Sequence, residues 1–227
     1  MWKEMSLDAF RGTGERNQDG YDLDAFIEKY NPGDYDNPSV TTDAIIFAYN
    51  GRYEGLSNLK LLMIRRKDHP CIGYWALPGG FVNYTEDMDL AVARELEEET
   101  GVTGVSLCQL HTWGDADRDP RTRIITTTYL AVIDQNSVKV QAGDDAADAA
   151  WFDVQLEELE EAAAYNTKVF RLVLIAGDVR LEAQVQVKIT DNGIFRSKEY
   201  KIISKDGIAF DHARGILQAL DYLILHI

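Results

Sequence analysis

Apolar and polar positions divide the chain into short segments, most of them with the period of strands. Val40–Asn50 (VTTDAIIFAYN) and Leu59–Arg66 (LKLLMIRR) flank the polar stretch Gly51–Asn58 and predict a hairpin. Trp75–Leu77 is a short strand feeding the turn Pro78-Gly79-Gly80, and Val105–Trp113 and Arg123–Asp134 predict two strands joined by the charged loop Gly114–Thr122. Ala142–Ala150 (AGDDAADAA) is expected as a loop before a strand at Trp151–Val154. Lys168–Ile175, Arg180–Ile189 and Glu199–Ser204 alternate as strands, with Asn192-Gly193 a hairpin signal. Helical spacing occurs in Leu23–Tyr30, in Gln155–Thr167 (Leu156, Leu159, Ala162) and in Phe210–Ile227 (Ile216, Leu220, Leu223), the last with Asp211 as candidate N-cap. Residues 1–38 are polar and poorly patterned, with turns at Asn31-Pro32-Gly33-Asp34 and Asn37-Pro38, and predict an arm leading into a domain at 39–227.

The densest chemistry lies in Gly80–Val102, GFVNYTEDMDLAVARELEEETGV. A glycine turn enters a helix for which Thr85 is a candidate N-cap; Glu86 and Asp87 suit the positive end of the helix dipole, and Gly101 is a C-cap signal. Leu90, Ala93 and Leu96 are expected to face the core. Glu95, Glu98 and Glu99 stand at i, i+3 and i+4, so their carboxylates are expected to converge on one face. Such a cluster repels itself unless a cation intervenes, and magnesium takes oxygen ligands of this kind beside substrate phosphates. Read without that chemistry, the run is a solvated acidic helix face.

Charge and cysteine content narrow the class. The 227 residues carry 38 acidic against 23 basic side chains, a formal charge of −15, which disfavours nucleic acid as partner. A bound metal would invert the local field, so phosphorylated substrates remain compatible with the acidic balance. Cys71 and Cys108 are expected as reduced core or near-core thiols. The chain has no apolar run of membrane-spanning length and no cleavable leader at its N-terminus, so the expectation is a cytoplasmic enzyme without a membrane partner.

The stretch from Gly80 meets all nine fixed positions of GX5EX7REUXEEXGU, with U aliphatic, and Trp75-Ala76-Leu77-Pro78-Gly79-Gly80-Phe81 precedes it. In this the chain resembles the Nudix hydrolases. Pro38-Ser39-Val40-Thr41-Thr42-Asp43, Asp115-Ala116-Asp117-Arg118-Asp119-Pro120-Arg121 and Ala142-Gly143-Asp144-Asp145-Ala146 are similar to the branch holding ADP-ribose pyrophosphatases and ADP-ribose-sensing repressors. The resemblance covers roughly residues 38–155 and the final helix. It implies an α/β/α sandwich with a mixed sheet, the box helix and closing helix 211–227 on opposite faces, and 168–206 as a β insertion. Repressors of this branch carry a C-terminal winged helix-turn-helix. Residues 168–227 hold one clear helix and nine Lys/Arg against seven Asp/Glu, too balanced for a DNA-binding surface.

The resemblance also implies roles. Glu95, Glu98 and Glu99 would bind Mg2+ (or Mn2+) with the carbonyl of Gly79, which Gly80 lets the backbone present. Arg94 would pair with a carboxylate and fix its rotamer. Glu86 would support the loop–helix junction or an outer metal. The base that deprotonates water is Glu95 or, as in ADP-ribose pyrophosphatases, an acid on a later loop, here Asp144 or Asp145. Gly143-Asp144-Asp145 reads equally as a capped turn. Arg118, Arg121 and Arg123 are candidate phosphate clamps, or surface partners of Asp115, Asp117 and Asp119. One of Arg65 and Arg66 should face the site, with Arg66 chosen. Phe81, Trp75 and Tyr84 are candidates to stack on a base or to fill the core, Phe81 being preferred at the site. His212 reads as a hydrogen-bonder. The implied activity is Mg-dependent hydrolysis of ADP-ribose to AMP and ribose 5-phosphate by a homodimer. The alternatives are a triphosphate pyrophosphatase of sanitising type and a non-catalytic ADP-ribose sensor.

Overall fold

The structure is a computed structural model that describes residues 7–142, 146–159 and 166–226. The chain forms two compact units, Met1–Pro38 and Ser39–Ile227. In the first, α1 (Leu23–Lys29) starts where the Asp22 carboxylate accepts the Ala25 N–H at 3.0 Å, and Arg11 holds Asp24.

The second unit runs β1 (Ser39–Tyr49), β2 (Lys60–Arg66), β3 (Trp75–Ala76), β4 (Gly79–Phe81), α2 (Met88–Thr100), β5 (Cys108–Trp113), β6 (Ile124–Asp134), β7 (Ala146–Leu159), β8 (Thr167–Ala176), β9 (Val179–Asp191), β10 (Arg196–Asp206) and α3 (His212–His226). One mixed sheet has the order β10-β9-β8-β7-β2-β1-β6-β5; only the β1–β6 pair is parallel. Thr41–Ala48 of β1 are buried without interruption because both faces are covered. Ala44 and Ile46 pack with Val92 and Leu96 of α2. Ile45 and Phe47 belong to the larger core with Ile216 and Leu220 of α3. The two helices therefore cover opposite faces, and β8–β10 form the C-terminal β extension that the sequence implies.

β1 and β2 pair only at Phe47↔Leu61 and Ala48↔Lys60, then separate. Residues 75–81 fill the gap: β3 pairs with β2, and β4 pairs with β1 from Thr41↔Phe81 to Asp43↔Gly79. The glycine turn is thus wedged into the middle of the sheet. This placement builds the site.

Several local expectations are corrected. The helix expected over 155–167 is absent from its described part: β7 continues to Leu159, pairing with β8 from Asp153↔Ile175 to Leu159↔Val169. Phe152, Val154 and Leu156 point inward with period two, and this alternation overrides the helical spacing of Leu156 and Leu159. Residues 146–150, expected as loop, form the first part of β7 against β2. On α2 the core face is Ala91, Val92 and Leu96, while Leu90 is 63% exposed and Ala93 also faces solvent. Successive steps of three fall about 60° short of a full turn, so Leu90 and Leu96 cannot share a face. Thr85 is not the N-cap; Asp87 is, without a side-chain hydrogen bond. Asp211 directs its carboxylate to Arg118 and Arg214 rather than to a helix N–H. Cys71 is half-buried against the core cluster of Ile64, Ala76 and Ala209, as expected, whereas Cys108 is exposed; both are free. No helix of the described residues is long and apolar enough to cross a membrane.

Candidate active site

Where β1, the glycine turn and α2 meet, a cavity of about 360 Å³ is lined by Asp43, Gly79, Glu95 and Glu99 together with Arg66, Arg118 and Arg121. Carboxylates and guanidinium groups so face one small volume. Gly79 allows the close approach of β4 to β1: a Cβ there would lie 2.1 Å from the Thr42 carbonyl oxygen. At Gly80 a Cβ would lie 2.5 Å from a Glu95 carboxylate oxygen. Both glycines are needed for space, the first against backbone and the second against a functional side chain.

Arg94 organises the acidic side. Its Nε and Nη2 donate to the two oxygens of Glu86 at 2.8 and 2.9 Å, and Nη1 donates to Glu95 at 2.7 Å and Glu98 at 3.0 Å. Nη2 also donates to the Phe81 carbonyl. The bond from Arg94 draws the Glu86 carboxyl down to about 2, and Glu86 also accepts the Asn83 N–H, which ties the turn to α2. Burial pushes the Glu95 carboxyl up against the pull of Arg94. Glu99 accepts the Gly79 N–H at 2.8 Å, yet burial, with Glu95 and Asp43 nearby, raises its carboxyl to about 8.

The three box glutamates do not converge as spacing alone implied. Glu95 and Glu99 line the cavity, whereas Glu98 is 54% exposed and rests on Arg94. No group of three His, Cys, Asp or Glu among the described residues is arranged to hold a metal ion. The donor set nonetheless fits a hard divalent cation: the carboxylates of Asp43, Glu95 and Glu99 all line the one cavity as oxygen donors.

The rest of the lining is largely basic and aromatic. Arg121 clasps Asp119 through Nε and Nη2 and lies over the rings of Phe81 (5.2 Å) and Phe210 (5.8 Å); Arg66 lies over Phe210 at 4.9 Å. Arg118, its side chain 6% exposed, donates to both oxygens of Asp211 at 2.8 and 3.1 Å. Burial pushes the Asp211 carboxyl up, but Arg118 and Arg214 outweigh it and hold it below the usual range. Arg118→Ala would leave a buried carboxylate with Arg214 alone, a loss of about 3 kcal/mol measured by urea unfolding, with Arg118→Lys losing less. Equal stabilities of the alanine and lysine variants would contradict that assignment.

The remaining candidates divide cleanly. Arg123 is exposed, donates to the Asp115 carbonyl and does not line the cavity. Arg65 is exposed and turned to the Gly73 carbonyl. Trp75 is buried against Phe152, and Tyr84 is 82% exposed. Asp144 and Asp145 lie outside the described residues. Among the lining residues to which the sequence pattern gives no site role are Asp43, Asp119 and Phe210. Asp43 carries the one signal that was available, a charge inside an apolar strand whose burial asks for a partner; Thr126 supplies it at 2.6 Å. Phe210 has φ +45°, unusual for a non-glycine residue, which no sequence pattern announces.

This fold, with a glutamate-bearing helix against a glycine turn in a mixed sheet, defines the class. A family model for the NUDIX domain matches residues 40–173, and the chain belongs to the Nudix family as a Nudix hydrolase. An ADP-ribose pyrophosphatase of Methanocaldococcus jannaschii is 36% identical over 137 residues, 60% of this chain and 73% of that protein. The ADPR-responsive transcriptional repressor NtrR of Acinetobacter baylyi is 37% identical over 119 residues, 52% of this chain; the chain spans 46% of that repressor. A MutT/nudix family protein from Enterococcus faecalis shares the fold with a TM-score of 0.67 and 31% identity, over 98% of this chain and 71% of that one.

Proposed function

We propose that this hydrolase cleaves the pyrophosphate bond of a nucleoside diphosphate linked to another moiety, with ADP-ribose, giving AMP and ribose 5-phosphate, as the leading substrate. The observation that carries this reading is the pairing, in one cavity, of the Glu95–Glu99 wall with the Arg66, Arg118 and Arg121 wall. The activity named for the Methanocaldococcus relative supports the choice of ADP-ribose. Glu95, Glu98, Glu99 and the Gly79 carbonyl would hold Mg2+, Glu98 after release from Arg94. When bound, the metal neutralises phosphate charge and acidifies water. Arg94 fixes Glu86, Glu95 and Glu98 around one guanidinium, and Arg66 and Arg121 offer guanidinium groups to phosphate oxygens. Phe81 and Phe210 supply faces for a base or sugar and exclude water beside the arginines. Either Glu95 or the carboxylates of Asp144 and Asp145 would accept the proton of the attacking water.

A sensor is the second reading, favoured by the Acinetobacter relative. Against it, β8–β10 and the single helix α3 fill the described part of 166–226, where a DNA-reading motif needs several helices. Magnesium-dependent release of AMP from ADP-ribose, compared with ADP-sugars, dinucleoside polyphosphates and triphosphates, tests the proposal. Preference for triphosphates would overturn the substrate. No turnover, with ADP-ribose raising the melting temperature, would favour the sensor.

The aromatic–arginine wall makes a separate prediction. Phe81→Ala and Phe210→Ala should each raise KM about tenfold while kcat changes much less, since their rings would bind the base or sugar, a part of the substrate remote from the reacting bond. Unchanged KM in both variants would remove these rings from the binding site.

A further inference from the structure

The N–H groups of Trp75, Leu77 and Gly79 emerge from alternate positions leading through the glycine turn, and each meets a different acceptor. Trp75 donates to the Gly207 carbonyl at 2.8 Å, Leu77 to Nδ1 of His212 at 2.9 Å, and Gly79 to Glu99 at 2.8 Å. Residues 207–209 run parallel to β3 through the Trp75↔Ile208 bridge, with the Ala209 N–H returning to the Trp75 carbonyl, and then leave for α3. Leu77 therefore has no backbone acceptor beside it, and an imidazole from the first turn of α3 takes that place. Because Nδ1 accepts, the proton of the neutral ring sits on Nε2, which lies 3.7 Å from Oδ1 of Asp43. His212 is buried and lines the cavity with Asp43, Glu95 and Glu99. The last acceptor in the series is a proposed metal ligand, so the register of the turn and the position of Glu99 are mechanically linked through Leu77.

We propose that His212 is a positioning residue of the reaction centre: by accepting the Leu77 N–H it fixes the strand that presents Gly79 to Glu99, and so sets the affinity of the site for its divalent cation. The inference rests on the metal-dependent reading above. Outer partners of metal ligands act in this way, with losses of about 10–100-fold when removed. Three proteins test it: wild type, His212→Asn and His212→Phe. The asparagine oxygen can accept the Leu77 N–H near the place of Nδ1; phenylalanine keeps the ring volume without an acceptor. Amide exchange at Leu77 and Gly79 is followed in metal-free protein, Mn2+ affinity by calorimetry, and turnover with ADP-ribose.

His212→Phe should expose the Leu77 amide to exchange and weaken Mn2+ binding about 10–100-fold, and His212→Asn should restore both. Equal Mn2+ affinity in a folded His212→Phe protein would overturn the inference. So would His212→Asn binding Mn2+ no better than His212→Phe, or, if the latter fails to fold, His212→Asn showing neither Leu77 protection nor Mn2+ affinity. Wild-type protein that binds Mn2+ but hydrolyses none of the substrates would overturn the proposed function alone. Wild-type protein that binds no Mn2+ would overturn both.

Discussion

Glu99→Gln is expected to lower turnover by about a thousandfold or more, as loss of a group that stabilises transition-state charge does, while the fold survives. Glu99 is nearly enclosed, and its oxygen takes the Gly79 N–H at 2.8 Å. A glutamine oxygen keeps that bond, so the turn should hold its place. What disappears is the charge, together with the only box carboxylate that is both buried and aimed into the cavity. The same geometry fixes the sign of the stability effect in protein freed of metal by chelator. Burial, then Glu95 and Asp43, raise the Glu99 carboxyl from 4.5 to about 8. A raised carboxyl stabilises the fold fully below its unfolded value, and that contribution is lost as pH rises through about 4.5 to 8. An uncharged amide removes this loss. Glu99→Gln should therefore melt no lower than wild type at pH 7 in chelator, and the interval should widen in its favour toward pH 8. Activity assays and thermal melts on the same preparation check both halves. Retained turnover would remove Glu99 from the metal site. A collapse of the melting temperature would mean that the carboxylate serves the fold rather than the reaction.

How much of this was legible in the sequence differs by the range of the interaction. The strands β1, β2 and β6 follow from short apolar runs bounded by turns, β8 and β9 from alternation, and the glycine–glutamate spacing of residues 80–102 was enough for the family. Failures occurred where a local pattern supported two answers. Leu156 and Leu159 fit a helix as well as a strand, and pairing with β8 decided for the strand. Glutamates at i, i+3 and i+4 look equivalent along the helix. Their difference arises from Arg94, which draws Glu98 outward, and from the Gly79 N–H, which draws Glu99 inward. The basic wall was half visible. Arg118, Arg121 and Arg123 lie within six residues, but only chain geometry separates the two that line the cavity from Arg123, which turns to the Asp115 carbonyl. His212 was legible as a hydrogen-bonder, and it accepts the Leu77 N–H, but its place in the cavity, like that of Phe210, was beyond reach for a plainer reason. They stand more than 100 residues from the glycine turn, and nothing local records that α3 begins beside it.

Gly79→Ala is expected to be the most damaging single change in the site, and it should act on the fold first. The new Cβ would stand 2.1 Å from the Thr42 carbonyl oxygen, 2.8 Å from the Asp43 Cα and 3.0 Å from the Thr42 carbonyl carbon. All three belong to the backbone of β1, which is paired with β6 from Ser39↔Ile124 to Tyr49↔Asp134 and is buried on both faces. A side chain could rotate away; this strand cannot shift without carrying its neighbour. β4 must separate from β1 instead, at a loss of about 3 kcal/mol or more, in the upper range for overpacking. Separation also removes the Gly79 N–H from Glu99 and moves Asp43, so residual folded protein should bind Mn2+ weakly. Gly80→Ala provides the contrast. The three atoms nearest its Cβ, the first at 2.5 Å, all belong to the Glu95 carboxylate, the movable end of a side chain. That variant should melt close to wild type while turnover falls with the displacement of Glu95. Gly114→Ala, with nothing within 4 Å, should change neither quantity. Urea unfolding and turnover on the three variants separate backbone strain from loss of a ligand. If Gly79→Ala kept wild-type stability, the close packing of β4 on β1 would be wrong, and with it the geometry that brings Gly79 and Glu99 together.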